Sequence, residues 1–125
     1  MNLPDTVTTA LADRPVADQY CLEAGAGVGN MTAALVESGA ARVYAVTNDR
    51  EHAMETHDRT REEAGVAVLE ADLVATPLPP DVVDVVTAHG LFNVVPPSTA
   101  VDVARELTRV AAAGAHLVVD DYAPI

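Results

Sequence analysis

The chain has 125 residues, 50% of them apolar, with 7 basic against 19 acidic side chains and a formal charge of -12. That length holds one domain of modest size and excludes a two-domain enzyme, while the apolar share is enough to bury a core. So acidic a chain is no match for nucleic-acid phosphates, whose recognition relies on Lys and Arg displacing counterions.

In chain order, residues 5–13 carry the pattern of a short helix, stopped at Arg14 and Pro15 because proline disfavours helix at the residue before it. Residues 19–23 read as a first strand. Over residues 28–38 the positions Val28, Met31, Ala34, Leu35 and Ser38 fall at helical spacing, and Gly39 follows where a left-handed cap is needed. Residues 42–47 are β-branched and aromatic enough for a second strand. Asn48 and Glu51 then stand at capping-box spacing for a helix running to about Ala64, with Gly65 ending it. Residues 66–70 form a third short strand, and the cluster Pro77, Pro79, Pro80 marks a loop that continues neither ladder nor helix. Residues 82–88 are the fourth strand. Pro96 and Pro97 precede Ser98, a good N-cap, and Val103, Leu107 and Val110 give the buried stripe of a helix ending near Gly114. Residues 115–119 are the fifth strand.

Strands separated by single crossover helices imply parallel pairing with right-handed connections, hence an α/β doubly wound sheet. Ligands of such sheets sit beyond the carboxyl ends of the strands, where the winding direction reverses. The strand ends are therefore the places to look for chemistry. After the first strand comes Glu23-Ala24-Gly25-Ala26-Gly27-Val28-Gly29, a strand-to-helix turn whose glycines let backbone pass close to a ligand. A dinucleotide fingerprint would need a further glycine at position 30, where Asn30 stands.

With an acid two residues before the first glycine and a glycine at the fifth place, this run resembles motif I of the class I S-adenosylmethionine-dependent methyltransferases (Rossmann-like, of the type 11/25 kind). The resemblance extends from about Gln19 to Tyr122 and implies a mainly parallel sheet of strand order 3-2-1-4-5. It implies S-adenosylmethionine as cofactor. The loop of Gly25, Ala26, Gly27 and Gly29 would cradle its methionine part, and Glu23 would hold its ammonium group. The family ends its second strand in an acid that accepts from the ribose hydroxyls; here Thr47 stands there and Asp49 follows two residues later. Asp49, or Asn48 with a weaker neutral bond, would take that role, or one of them simply caps the next helix. Asp72 would meet the adenine amino group, with Leu73 beside it. Asp84, an acid inside an apolar run, is structural on this reading. His89, after the fourth strand, is the candidate base or cofactor contact.

The Asn-Pro-Pro-aromatic motif of amino-methylating nucleic-acid enzymes is missing, so the acceptor is expected to be a small molecule or another non-nucleic compound. The alternatives are a catalytically inactive cofactor-binding or interaction module on the same fold, and an NAD or nucleotide-binding protein. The family normally has seven strands, so a single domain over residues 1–125 that stops after the fifth is expected to be incomplete at its C-terminus. Its fifth strand would then offer an open edge to a second copy or a partner chain. His52 and His57 are five residues apart, a poor ligand spacing, and no metal is expected. Asp120, Asp121 and Tyr122 follow the fifth strand, where family members often present residues to the acceptor.

Cys21 is alone, which fits a reducing compartment, and its apolar strand favours an inert buried thiol. No apolar run approaches the roughly 20 residues that span a bilayer, and no signal-peptide pattern opens the chain; a soluble cytoplasmic protein is expected. All seven basic residues are Arg and Lys is absent. That pattern resembles proteins of salt-accumulating halophiles, whose carboxylates stay solvated while concentrated salt screens their repulsion.

Overall fold

The computed structural model describes residues 16–26, 29–89, 91 and 95–120, apart from the side chains of His89 and Asp120. The helix expected over residues 5–13 lies outside this range, as do Gly27, Asp121 and Tyr122. The described chain runs β1 (Tyr20–Ala24), α1 (Asn30–Glu37), β2 (Arg42–Thr47), α2 (Arg50–Thr60), β3 (Val66–Glu70), β4 (Val83–His89), α3 (Pro97–Val110) and β5 (Ala111–Asp120). The five strands form one sheet of order β3-β2-β1-β4-β5 with every neighbouring pair parallel, as expected. Winding reverses between β1 and β4, which pair through Cys21↔Val85, Leu22↔Val86 and Glu23↔Thr87.

Alternation along the strands sends two sets of side chains to opposite faces. Cys21, Val43 and Val85 pack with Met31 and Leu35 of α1. Leu22, Ala24, Val46, Val86 and Ala88 pack with Val103, Leu107 and Val110 of α3. Each such fully buried Leu or Val contributes roughly 1.5–3 kcal/mol of hydrophobic stabilisation. Cys21 is free and wholly buried; burial first, and Asp84 second, push its thiol up to about 12, so it is inert. Asp84 Oδ2 accepts from the Tyr20 amide at 3.0 Å, a link between β4 and β1.

Of the positions at helical spacing, Met31 and Leu35 are buried in α1, together with Thr32, and Gly39 takes the left-handed conformation at φ 88°. Two local readings are corrected. Helix α2 is capped by Asp49, which accepts from the His52 amide at 3.0 Å, and it stops at Thr60 rather than Ala64. Helix α3 begins with Pro97 as its first residue, leaving Ser98 inside it, and it ends at Val110 with β5 following directly. After Val83↔Ala111 the ladder resumes only at Val85↔His116, so β5 bulges around Gly114, whose φ of 81° L side chains rarely adopt. The glycine that reads as a helix stop is instead the pivot of a bulge.

Candidate active site at the carboxyl edge of the sheet

The turns after β1 and β3 are each hydrogen-bonded to the end of β2. The amides of Gly25 and Ala26 both donate to the Val46 carbonyl, at 2.9 and 3.0 Å, and the Ala71 amide donates to the Thr47 carbonyl at 2.9 Å. These bonds set the segments carrying Glu23, Gly25, Ala26, Asn48, Asp49, Asp72 and Leu73 side by side along one edge of the sheet. Gly25 turns with φ 79°, and a Cβ there would sit 3.4 Å from Leu91 Cδ1. Gly29 is the N-cap of α1 at φ 92°, and a Cβ on it would lie 3.3 Å from Thr56 Cγ2 of α2. Its role in this fold is to let two helices approach closely as α1 starts.

Glu23 is 5% exposed at the end of β1. Thr32 Oγ1 donates to its Oε2. Burial pushes the carboxyl up to about 7, and the Thr32 hydrogen bond pulls the other way without cancelling it. Among the described residues no cation is paired with this carboxyl, and a cationic ligand would supply one.

The remaining sites are committed to local structure in varying degree. Thr47 is buried, and its Oγ1 accepts from the Asp49 amide at 3.1 Å, so its hydroxyl shapes the turn. Asp49 uses Oδ1 as the cap of α2, while Oδ2 lies 3.8 Å from His52 Nδ1. Asn30 Oδ1 accepts from Arg59 Nη1 at 2.7 Å, tying α1 to α2. Asp72 is exposed and its Oδ1 accepts from the Val74 amide at 3.0 Å, which leaves its other oxygen to solvent, whereas Leu73 is buried in the core under α3. His89 ends β4, in register with Asp120. The described residues contain no group of three or more His, Cys, Asp or Glu able to hold a metal, and no described helix is long and apolar enough to cross a membrane.

Comparison with known proteins bears on what this edge is for. A family model described as "Methyltransferase domain" matches residues 22–119. The chain belongs to that family. Its sheet superposes on a putative S-adenosyl-L-methionine-dependent methyltransferase from Methanococcus maripaludis with a TM-score of 0.82 at 14% identity, covering 91% of this chain and 53% of that one. A SAM-dependent methyltransferase from Aquifex aeolicus gives 0.80 at 23% identity, over 94% and 64% of the two chains. Phosphoethanolamine N-methyltransferase 1 of Haemonchus contortus, solved with phosphoethanolamine and S-adenosylhomocysteine, gives 0.77 at 17% identity, over 86% and 22%. The chain thus spans less than two thirds of each. No curated protein matches it in sequence. For this methyltransferase-domain chain the indicated cofactor is S-adenosylmethionine, and the residues present fit it: a buried carboxyl that no cation of the described residues neutralises, beside a left-handed glycine turn at Gly25.

Thr32 and Leu91 are parts of this site that periodicity alone overlooks. The signal for Thr32 is a hydroxyl directly after Met31, on the buried side of a helix that follows an acid-ended strand; a polar residue buried there needs a polar partner. Leu91 carries no comparable signal.

Proposed function

We infer that this chain is an S-adenosylmethionine-dependent methyltransferase acting on a small-molecule or other non-nucleic acceptor. The observation that carries the reading is the buried Glu23 at the reversal of winding, in a chain of the methyltransferase-domain family. When bound, the cofactor supplies a methyl group on a sulfonium for in-line displacement. Glu23 holds its ammonium group, and the loop of Gly25, Ala26, Gly27 and Gly29 cradles its methionine part. Asp49, through the oxygen not used as a cap, or Asn48 accepts from the ribose. Asp72 accepts from the adenine amino group with Leu73 beside it, and His89, at the end of β4, is the candidate base or a further cofactor contact. The strongly acidic chain supports a substrate other than nucleic acid.

Calorimetric titration with S-adenosylhomocysteine and with NAD tests the reading: saturable binding of the first alone is expected, and binding of NAD alone overturns it. A screen of acceptors with labelled methyl donor then separates an enzyme from an inactive cofactor-binding module. We place the protein in a salt-rich cytoplasm, where its charge of -12 is screened. Its melting temperature should rise between dilute and molar KCl, and a fall would remove the halophilic reading. Among the described strands β5 pairs with β4 alone, and its Leu117 and Val119 are 57% and 44% exposed. Such an edge is a template for a second copy of the chain. Light scattering in molar KCl should report a dimer, and a monomeric mass at every concentration would overturn the pairing.

A further inference from the structure

The Glu23 carboxyl is held from a place that none of the motif residues occupies. Thr32 lies in the first turn of α1 with no exposed surface, and its Oγ1 donates to Glu23 Oε2. A hydroxyl buried among Met31 and Leu35 needs such a partner, and a carboxyl buried at a strand end needs such a donor. The neighbouring strand offers a contrast. Thr87 stands opposite Glu23 in the β1–β4 register and is 1% exposed, yet its Oγ1 has no hydrogen-bond partner. Of two buried hydroxyls beside the carboxyl, the one on the helix engages it.

We propose that Thr32 is a positioning residue for the cofactor site: by donating to Oε2 it fixes the orientation of the Glu23 carboxyl and leaves Oε1 for the ligand's ammonium group. The inference rests on Glu23 being that contact. The hydrogen bond also favours the ionised form, which the ligand requires, against the burial that opposes it. Among the described residues, the groups around Glu23 leave Thr32 this task. On β1, Cys21 is a neutral thiol; β2 places Ala45 opposite and Thr47 beyond it; β4 places Thr87 opposite and ends in His89. The charged residue of α1, Glu37, is exposed at the far end of the helix.

The test uses the full chain in molar KCl, with Thr32→Val, Thr32→Ser and Thr87→Val. S-adenosylhomocysteine affinity is measured at neutral pH, and the Glu23 carboxyl is titrated without ligand by carbon-13 NMR, which resolves it from His89. Thr32→Val should weaken binding roughly tenfold and raise the Glu23 midpoint by about one unit, while Thr32→Ser and Thr87→Val stay within about twofold of the parent. Thr32→Val that binds like the parent with an unmoved midpoint overturns the proposal, and so does an equal loss in Thr87→Val. If Thr32→Val does not fold, the parent's own Thr32 hydroxyl proton decides: it should exchange slowly and shift as Glu23 titrates, and indifference to that titration overturns the assignment. Failure of the parent protein to bind S-adenosylhomocysteine removes the functional reading itself, whereas binding that ignores Thr32 removes this inference alone.

Discussion

Glu23→Gln is expected to yield a more stable protein that holds its cofactor poorly. The amide keeps an oxygen for the Thr32 hydroxyl and the shape of the buried site, but it removes the charge that burial opposes. Losing one charge-assisted contact to an ammonium group should weaken S-adenosylhomocysteine binding on the order of 10- to 100-fold. The effect on folding has the opposite sign. Glu23 titrates at about 7 in the folded chain against the usual 4.5, so between those values the folded state keeps a proton that the unfolded state has released. Stability from this group is therefore full below the lower value, falls as pH rises through the window and is lowest above the upper one. Above neutrality, Glu23→Gln should gain about 2 kcal/mol in urea unfolding, and its stability should lack this decline. For the parent, affinity should fall as pH drops below 7, because ligand and proton compete for one carboxylate. A variant that loses both stability and affinity at alkaline pH would show that the carboxylate supports the fold and would sink this account.

Glu106→Ala should cause the largest loss of stability, about 2–3 kcal/mol, in a domain whose total is on the order of 5–15 kcal/mol. Glu106 lies on α3 and is 7% exposed. Its Oε2 accepts from the amide and hydroxyl of Thr76 at 2.6 and 2.7 Å, and Arg109 donates through Nε and Nη2 to its two oxygens at 2.7 Å. Arg109 also donates to the Leu78 carbonyl at 2.8 Å, so the pair staples the proline-rich connection between β3 and β4 onto α3. Truncation leaves the Thr76 donors buried without an acceptor. The Arg109 hydrogen bonds lead in holding the Glu106 carboxyl down at about 2. Its contribution is therefore complete above the unfolded value near 4.5 and is lost as pH falls toward 2. Urea unfolding in molar KCl at neutral and acid pH checks both points: Glu106→Ala should be much weaker at neutral pH and should converge on the parent as acid protonates the group. An unchanged midpoint at neutral pH would mean that the staple is idle.

Much of this was legible before any fold was known. The alternation of β-branched runs with helical stripes predicts the strand and helix order, and the right-handed crossover rule turns that order into a parallel sheet. Glu23, Gly25 and Asp72 were singled out because they stand just after strand ends, which converge in such a sheet, and the roles given to them come from the family resemblance. The misplaced boundaries share a cause. Asn48 and Asp49 are both good caps, and a sequence window cannot tell which amide will come within reach. Gly114 stops a helix in one context and turns a bulge in another, and the register of β5 against β4 decides between them.

By itself, then, the sequence determined the layered α/β architecture, the burial of Cys21, the left-handed turn at Gly39 and the placing of an acid beside a glycine turn, because these follow from short-range periodicity and backbone sterics. Tertiary structure alone decided which polar groups meet. Thr32 reaches Glu23 from 9 residues away, and Thr76 reaches Glu106 across 30. Such pairings depend on how helices settle against the sheet and on which donors are left dry; a local pattern can mark a buried hydroxyl such as Thr32 but does not name its partner.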